Sequence, residues 1–291
     1  MLITKGLEPF DVVRPEDWRT PVVFASPHSG CDYPDAFVAA SRLDAVSLRR
    51  SEDAFVDEIF ASAPRLGAPL LKANFPRAYI DPNREPYELD PDMFQGPLPD
   101  YVNTLSPRVS AGLGTIARVV TNGENIYLGK LDFQEAKQAI ESLYLPYHAA
   151  LEELITETAT RFGGCLLIDC HSMPSVGGPM DRDPGFRRVD FVLGDRRGIS
   201  CAPAITRLAK DTLTGMGYVV TLNSPYAGGF TTEHYGKPAT GRHALQIEIN
   251  RALYMNETNI SRSDGMVALV ANMESLIEAL AAIDPEMLAS P

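Results

Sequence analysis

The chain has 291 residues, 45% hydrophobic and 22% charged, an ordinary globular composition able to bury a full core without disulfide staples. Its formal net charge of −12 leaves no basic stripe for phosphates, which excludes nucleic acid as a partner and obliges any anionic substrate to find local arginines. No apolar run approaches the roughly 18–20 residues of a membrane span.

In chain order, PVVFA (residues 21–25) is an apolar, β-branched run broken by Ser26-Pro27-His28-Ser29-Gly30, which reads as a buried strand entering a loop. Residues 43–63 carry Val46, Leu48, Phe55, Val56, Ile59 and Phe60 at helical spacing, with Pro64 as the stop. Strand pieces are expected at 69–73 and 78–80, then an irregular stretch to 107 with prolines at 82, 86, 91, 97, 99 and 107. The longest helical pattern is 133–161, with Pro146 expected to kink or divide it. CLLIDC (165–170) and 189–193 follow as strands, 200–216 as a helix, 218–222 and 244–249 as strands, and 263–282 as a closing helix. Strands alternating with helices, several of them apolar on both faces, predict a mostly parallel sheet covered on two sides. Without repeats or linkers, residues 1–291 read as a single domain. The four cysteines form no CxxC pair and the N-terminus has no export-signal pattern, so a cytoplasmic setting is expected.

Open α/β sheets bind ligands at the carboxyl ends of their strands. His28 follows PVVFA and His171 follows CLLID, so two imidazoles sit at such ends. A catalytic zinc takes about three protein ligands and keeps one position open. Asp169 shares a strand face with His171 and is suited to orient a histidine. Asp32, Glu52, Asp53, His234 and His243 are all candidates for a third ligand, although Glu52 and Asp53 fall inside a predicted helix, where a solvated face is the plain expectation. In ALQIEIN (244–250), alternation puts Gln246, Glu248 and Asn250 on one face. Glu248 is then either an exposed edge residue or a general base acting on metal-bound water. Arg77, Asn83 and Arg84 surround a predicted strand end, and arginine grips carboxylates through its planar fork.

SPHSG (26–30), RAYIDPNR (77–84), DCHSMP (169–174) and GGFTTEHYGKPATGRHALQIEINRALYM (228–255) together resemble the N-formylglutamate amidohydrolase family, in order and over most of the chain. The resemblance implies a zinc-carboxypeptidase-like, three-layer α/β/α sandwich with a mostly parallel mixed sheet. It implies hydrolysis of the N-formyl amide of N-formyl-L-glutamate, a small anionic substrate, with Zn2+ or another divalent transition ion. His28 and His171 match the family's zinc histidines, and Glu248 matches the general base of the wider superfamily. Arg77 resembles the arginine that polarises the scissile carbonyl, and Asn83 with Arg84 the pair that grips a substrate carboxylate. Carboxypeptidases carry their second ligand three residues after the first histidine, where this chain has Cys31. A later carboxylate takes that role: Asp53 aligns best, with Glu52 and then Asp32 behind it. For the second substrate carboxylate Arg182, Arg242 and Lys237 are available. Thr231 or Tyr235 would line the pocket from a glycine-flanked segment suited to a lid, with His234 beside them. Deacylation of another N-acyl amino acid or peptide, and non-catalytic ligand binding on the same scaffold, are the competing expectations.

Overall fold

In the computed structural model, which describes residues 8–179, 181 and 183–289, one sheet holds seven strands. They are β1 (Phe10–Val13), β2 (Val22–Ser26), β3 (Leu70–Ala73), β4 (Cys165–Met173), β5 (Phe191–Gly194), β6 (Val220–Leu222) and β7 (Arg242–Asn250). Their spatial order is β1-β3-β2-β4-β7-β5-β6. β3, β2, β4 and β7 run parallel, while β1 joins β3 and β5 joins β7 antiparallel, so the sheet is mixed and mostly parallel, as the pattern predicted. A separate two-stranded ladder pairs β8 (Met255–Asn256) with β9 (Ser261–Arg262).

The helices are α1 (Asp35–Ala40), α2 (Ala45–Arg49), α3 (Val56–Ile59), α4 (Pro107–Ser110), α5 (Phe133–Ala139), α6 (Leu145–Phe162), α7 (Pro203–Gly215), α8 (Phe230–Tyr235) and α9 (Gly265–Ala281). Successive side chains of a strand point to opposite faces, so the wholly buried β2 and β4 feed two cores. Val22, Phe24, Leu166 and Ile168 pack with Val56, Leu213 and Leu276 of α3, α7 and α9. Val23, Ala25 and Leu167 pack with Tyr147, Leu151 and Leu154 of α6. Helices on both faces complete the three-layer sandwich.

Three local expectations are corrected. The apolar spacing over 43–63 does not make one helix. Asp44 caps α2 through Ser47 N (2.7 Å), the chain then leaves the helix, Asp53 N donates to His28 O (3.0 Å), and Phe55 takes φ +67° before α3 starts. Glu52 and Asp53 therefore turn inward, 2% and 0% exposed, instead of lining a solvated face. Residues 78–80 form a turn in which Tyr79 N and Ile80 N share Pro76 O; they are apolar because they are buried. The segment suited to a lid contains α8, whose Thr231, Thr232 and Tyr235 are buried against the sheet. The junction expected at Pro146 is present as a π-helical turn, Ile140–Tyr144, between α5 and α6.

β2, β4 and β7 deliver their carboxyl ends to one edge. His28 lies two residues past β2, and His171 and Glu248 lie opposite each other in the β4·β7 register. The alternation read in ALQIEIN holds: Leu245, Ile247 and Ile249 join the α7/α9 core while Gln246 and Glu248 face the other way. β7 is an interior strand, which removes the edge-strand reading of Glu248.

Candidate active site

His28, Asp53 and His171 converge at that edge. The two Nδ1 atoms are 3.1 Å apart, and Asp53 Oδ2 is 3.3 Å from the first and 3.1 Å from the second. A tetrahedral ion with bonds of about 2.0–2.1 Å holds its donors roughly 3.3–3.4 Å apart. The triangle therefore fits a small divalent ion, and two imidazoles with a carboxylate suit zinc and its transition-metal neighbours. Among the described residues this is the only such cluster of three metal-binding side chains.

The outer nitrogen of each ring is engaged by an acid. His28 Nε2 lies 2.8 Å from Asp81 Oδ1, and His171 Nε2 lies 2.9 Å from Asp169 Oδ2. Donation outward leaves both Nδ1 lone pairs pointing at the common centre. Asp53 is oriented from behind: Arg251 Nη2 (3.0 Å) and Ser172 Oγ (3.3 Å) donate to Oδ1, which leaves Oδ2 for the histidines. Arg251 also donates to Arg50 O (3.1 Å), fastening the segment that leaves α2. Burial alone would raise the Asp53 carboxyl, but hydrogen bonds from His171 and His28 outweigh it and hold the pKa well below the usual range. Burial opposes a charged His171, yet Asp169 and Asp53 drive its pKa well above that of a free imidazole. The same negative potential would stabilise a cation bound at Nδ1.

The other third-ligand candidates lie elsewhere. Glu52 accepts from Tyr33 Oη (2.6 Å) and Arg49 Nε (3.0 Å). Asp32 is exposed, His234 is exposed and stacks on Phe230, and His243 Nδ1 accepts from Ala202 N.

A cavity of about 430 Å³ opens beside the triangle, lined by both histidines, Glu248, Arg77, Asn83 and Arg84 among others. Glu248 Oε1 accepts from Gln246 Nε2 (2.8 Å). Burial, partly offset by His171, pushes its carboxyl up to about 7, the range of a base poised near neutrality. Arg77 spends Nε on Asp81 Oδ2 (3.0 Å) and keeps both Nη groups unbonded among the described residues. Arg84 is more committed: Nε donates to Leu113 O (2.8 Å), Nη1 to Asn83 O (2.7 Å), and Nη2 lies 3.5 Å from Asp81 Oδ2. Asn83 Oδ1 accepts from Thr231 N (2.9 Å) and its Nδ2 faces Asp169 (3.4 Å).

Four predicted pocket residues are not brought to the cavity. Thr231 lies behind Asn83. Tyr235 Oη pairs with His148 Nδ1 (2.8 Å), whose Nε2 donates to Pro82 O (2.8 Å), so it supports the loop from beneath. Arg242 opens β7, six residues before Glu248 and hence about 20 Å up the strand, and pairs with Glu152 (2.7 Å). Lys237 lines a separate outer cleft. Arg182 lies outside the described residues. Sequence reasoning missed Asp81, Ser172, Arg251 and Arg108, all lining the cavity. Asp81 had a visible signal, a carboxylate between two arginines in RAYIDPNR. Asp81→Asn should weaken metal affinity about 10–100-fold, the usual cost of losing the partner of a ligating histidine; competition titration against a zinc chelator measures it, and unchanged affinity would remove Asp81 from this role.

The chain matches the family model described as N-formylglutamate amidohydrolase over residues 20–255. It is 31% identical over 244 residues to the N-formylglutamate deformylase of Pseudomonas putida, covering 82% of this chain and 84% of that one. It is 29% identical over 270 residues to the N-formylglutamate deformylase of Pseudomonas aeruginosa, covering 91% and 94%. A crystal structure of N-formylglutamate amidohydrolase from Ralstonia eutropha JMP134 matches with TM-score 0.85 at 36% identity, over 94% of this chain and 98% of that one.

Proposed function

The chain belongs to the N-formylglutamate amidohydrolase family, and from that membership we propose that it hydrolyses N-formyl-L-glutamate to formate and L-glutamate at a zinc centre formed by His28, Asp53 and His171. The observation that carries the reading is the donor triangle of 3.1–3.3 Å with Glu248 in register beside one of its members. When bound, the ion would supply a Lewis acid to polarise the formyl carbonyl and activate water. Glu248 accepts the proton of the attacking water and hands it to the amide nitrogen as the C–N bond breaks. The hydroxyl ends on formate and the proton on the glutamate amine. The Nη groups of Arg77 donate to the oxygen that gains charge. Arg84 offers Nη2 to one substrate carboxylate, and Asn83, held through Oδ1 by Thr231 N with its Nδ2 beside Asp169 and His171 Nε2, positions the loop between Asp81 and Arg84.

We place this activity in histidine degradation and in the cytoplasm, where four unpaired cysteines are stable. No helix among the described residues is long and apolar enough to cross a membrane. The test is a formate-release assay on N-formyl-L-glutamate, with N-acetyl-L-aspartate as comparison. Activity should favour the formyl substrate, vanish on removal of metal by a strong chelator, and return with added zinc. Zinc-loaded protein that releases no formate would refute the proposal.

A further inference from the structure

We propose that Arg108 anchors the side-chain carboxylate of the substrate and so sets the preference for glutamate over its neutral analogues; this rests on the formylglutamate reading above. Charge counting leads to it. Arg77 and Arg84 share Asp81 at 3.0 and 3.5 Å, so the three groups leave one net positive charge. Arg251 is balanced by Asp53 (3.0 Å). N-formylglutamate carries two carboxylates, and an unpaired carboxylate in a cavity bears a large desolvation cost. One further cation is needed.

Arg108, in α4, lines the cavity half-buried. Its side chain makes no hydrogen bond or ion pair with any described residue, so all five N–H donors are available. The stretch of chain that carries it supplies one cavity wall through Ala111, Leu113, Ala117, Val119 and Val120, and among the described residues Arg108 is the only charged group on that wall. Glutamate has matching parts: two methylenes for the apolar surface and a carboxylate for the guanidinium. The wall is tied to the other arginine, because Leu113 O accepts from Arg84 Nε (2.8 Å). Arg84 and Arg108 are close enough to repel each other, and an anion between them relieves that repulsion. Arg108 also borders an outer cleft containing Glu85, Glu88 and Glu233, none of them within the 4.0 Å of an ion pair.

The experiment compares kcat and KM for N-formyl-L-glutamate and N-formyl-L-glutamine in the zinc-loaded wild type, Arg108→Gln and Arg108→Lys. Arg108→Gln should raise KM for the glutamate substrate about 10–100-fold, the scale of one lost charge-assisted hydrogen-bonded partner. Its kcat should stay within about threefold, and its glutamine-substrate kinetics should be unchanged. Arg108→Lys should recover part of the preference. A glutamate-to-glutamine ratio equal to the wild type's in both variants overturns the role of Arg108 alone. Wild-type protein inactive on both substrates overturns the functional reading itself. Thermal unfolding of both variants should match the wild type, since Arg108 has no internal partner to lose.

Discussion

Protein carrying His171→Ala should bind substoichiometric metal and lose formate release by at least about 10³-fold, several kcal/mol of transition-state stabilisation. The argument is local. His171 supplies one of three donor atoms, and without it His28 and Asp53 offer two, too few to hold an ion against water. The substitution also strands Asp169, 0% exposed, and Glu248, 7% exposed, beside each other with less positive charge between them. His28→Ala should behave alike, since its ring has the same outward carboxylate and inward Nδ1. Elemental analysis of purified, folded variants, read alongside the formate assay, decides the matter. Full metal content with full turnover in both would mean that the triangle is not the hydrolytic centre.

Glu248→Gln is expected to separate binding from chemistry. Glutamine keeps the shape and an oxygen that can accept from Gln246, and it is neutral, so burial carries no charge penalty. Metal content and KM should therefore stay near wild type while kcat falls about 10²–10⁴-fold, the usual contribution of a positioned general base. A loss confined to KM would make Glu248 a substrate contact, and normal turnover would remove it from the reaction.

How much of this was legible in the sequence follows from what each residue depends on. His28, His171 and Glu248 could be read because each sits at or near the end of a short apolar run, and strand ends in such sheets gather at one edge. The inward face of Glu248 came from strict alternation over ALQIEIN, which survives in a buried strand as well as in an exposed one. Asp53 could be singled out only by resemblance. Its neighbours have helical periodicity, and the break that turns it inward is stabilised by the His28 carbonyl and Arg251, respectively 25 and 198 positions away in the chain. Arg108 was hidden for a similar reason. It stands among ordinary surface-type residues after a proline-rich stretch, and only the folded wall shows that it faces the cavity without an acid. Arg242 was misjudged because a strand nine residues long has two ends, and composition does not say which one meets the site.

The backbone ladder that places His171 beside Glu248 has a bearing on how the protein can change. An insertion or deletion of one residue within β7 would swap its two faces and send the carboxylate into the α7/α9 layer, so that stretch tolerates substitution far better than a change in length. The wall from Arg108 to Thr121 contributes no rung to the sheet, but Thr115 O accepts from Asp81 N (2.8 Å) and Leu113 O from Arg84 Nε (2.8 Å), so its side chains can be exchanged while its backbone keeps its length and course. A change of acylated amino acid would then be made through the cavity-facing side chains of that wall, Arg108, Ala111, Leu113, Ala117, Val119 and Val120, with the metal-binding triangle and Glu248 left unaltered.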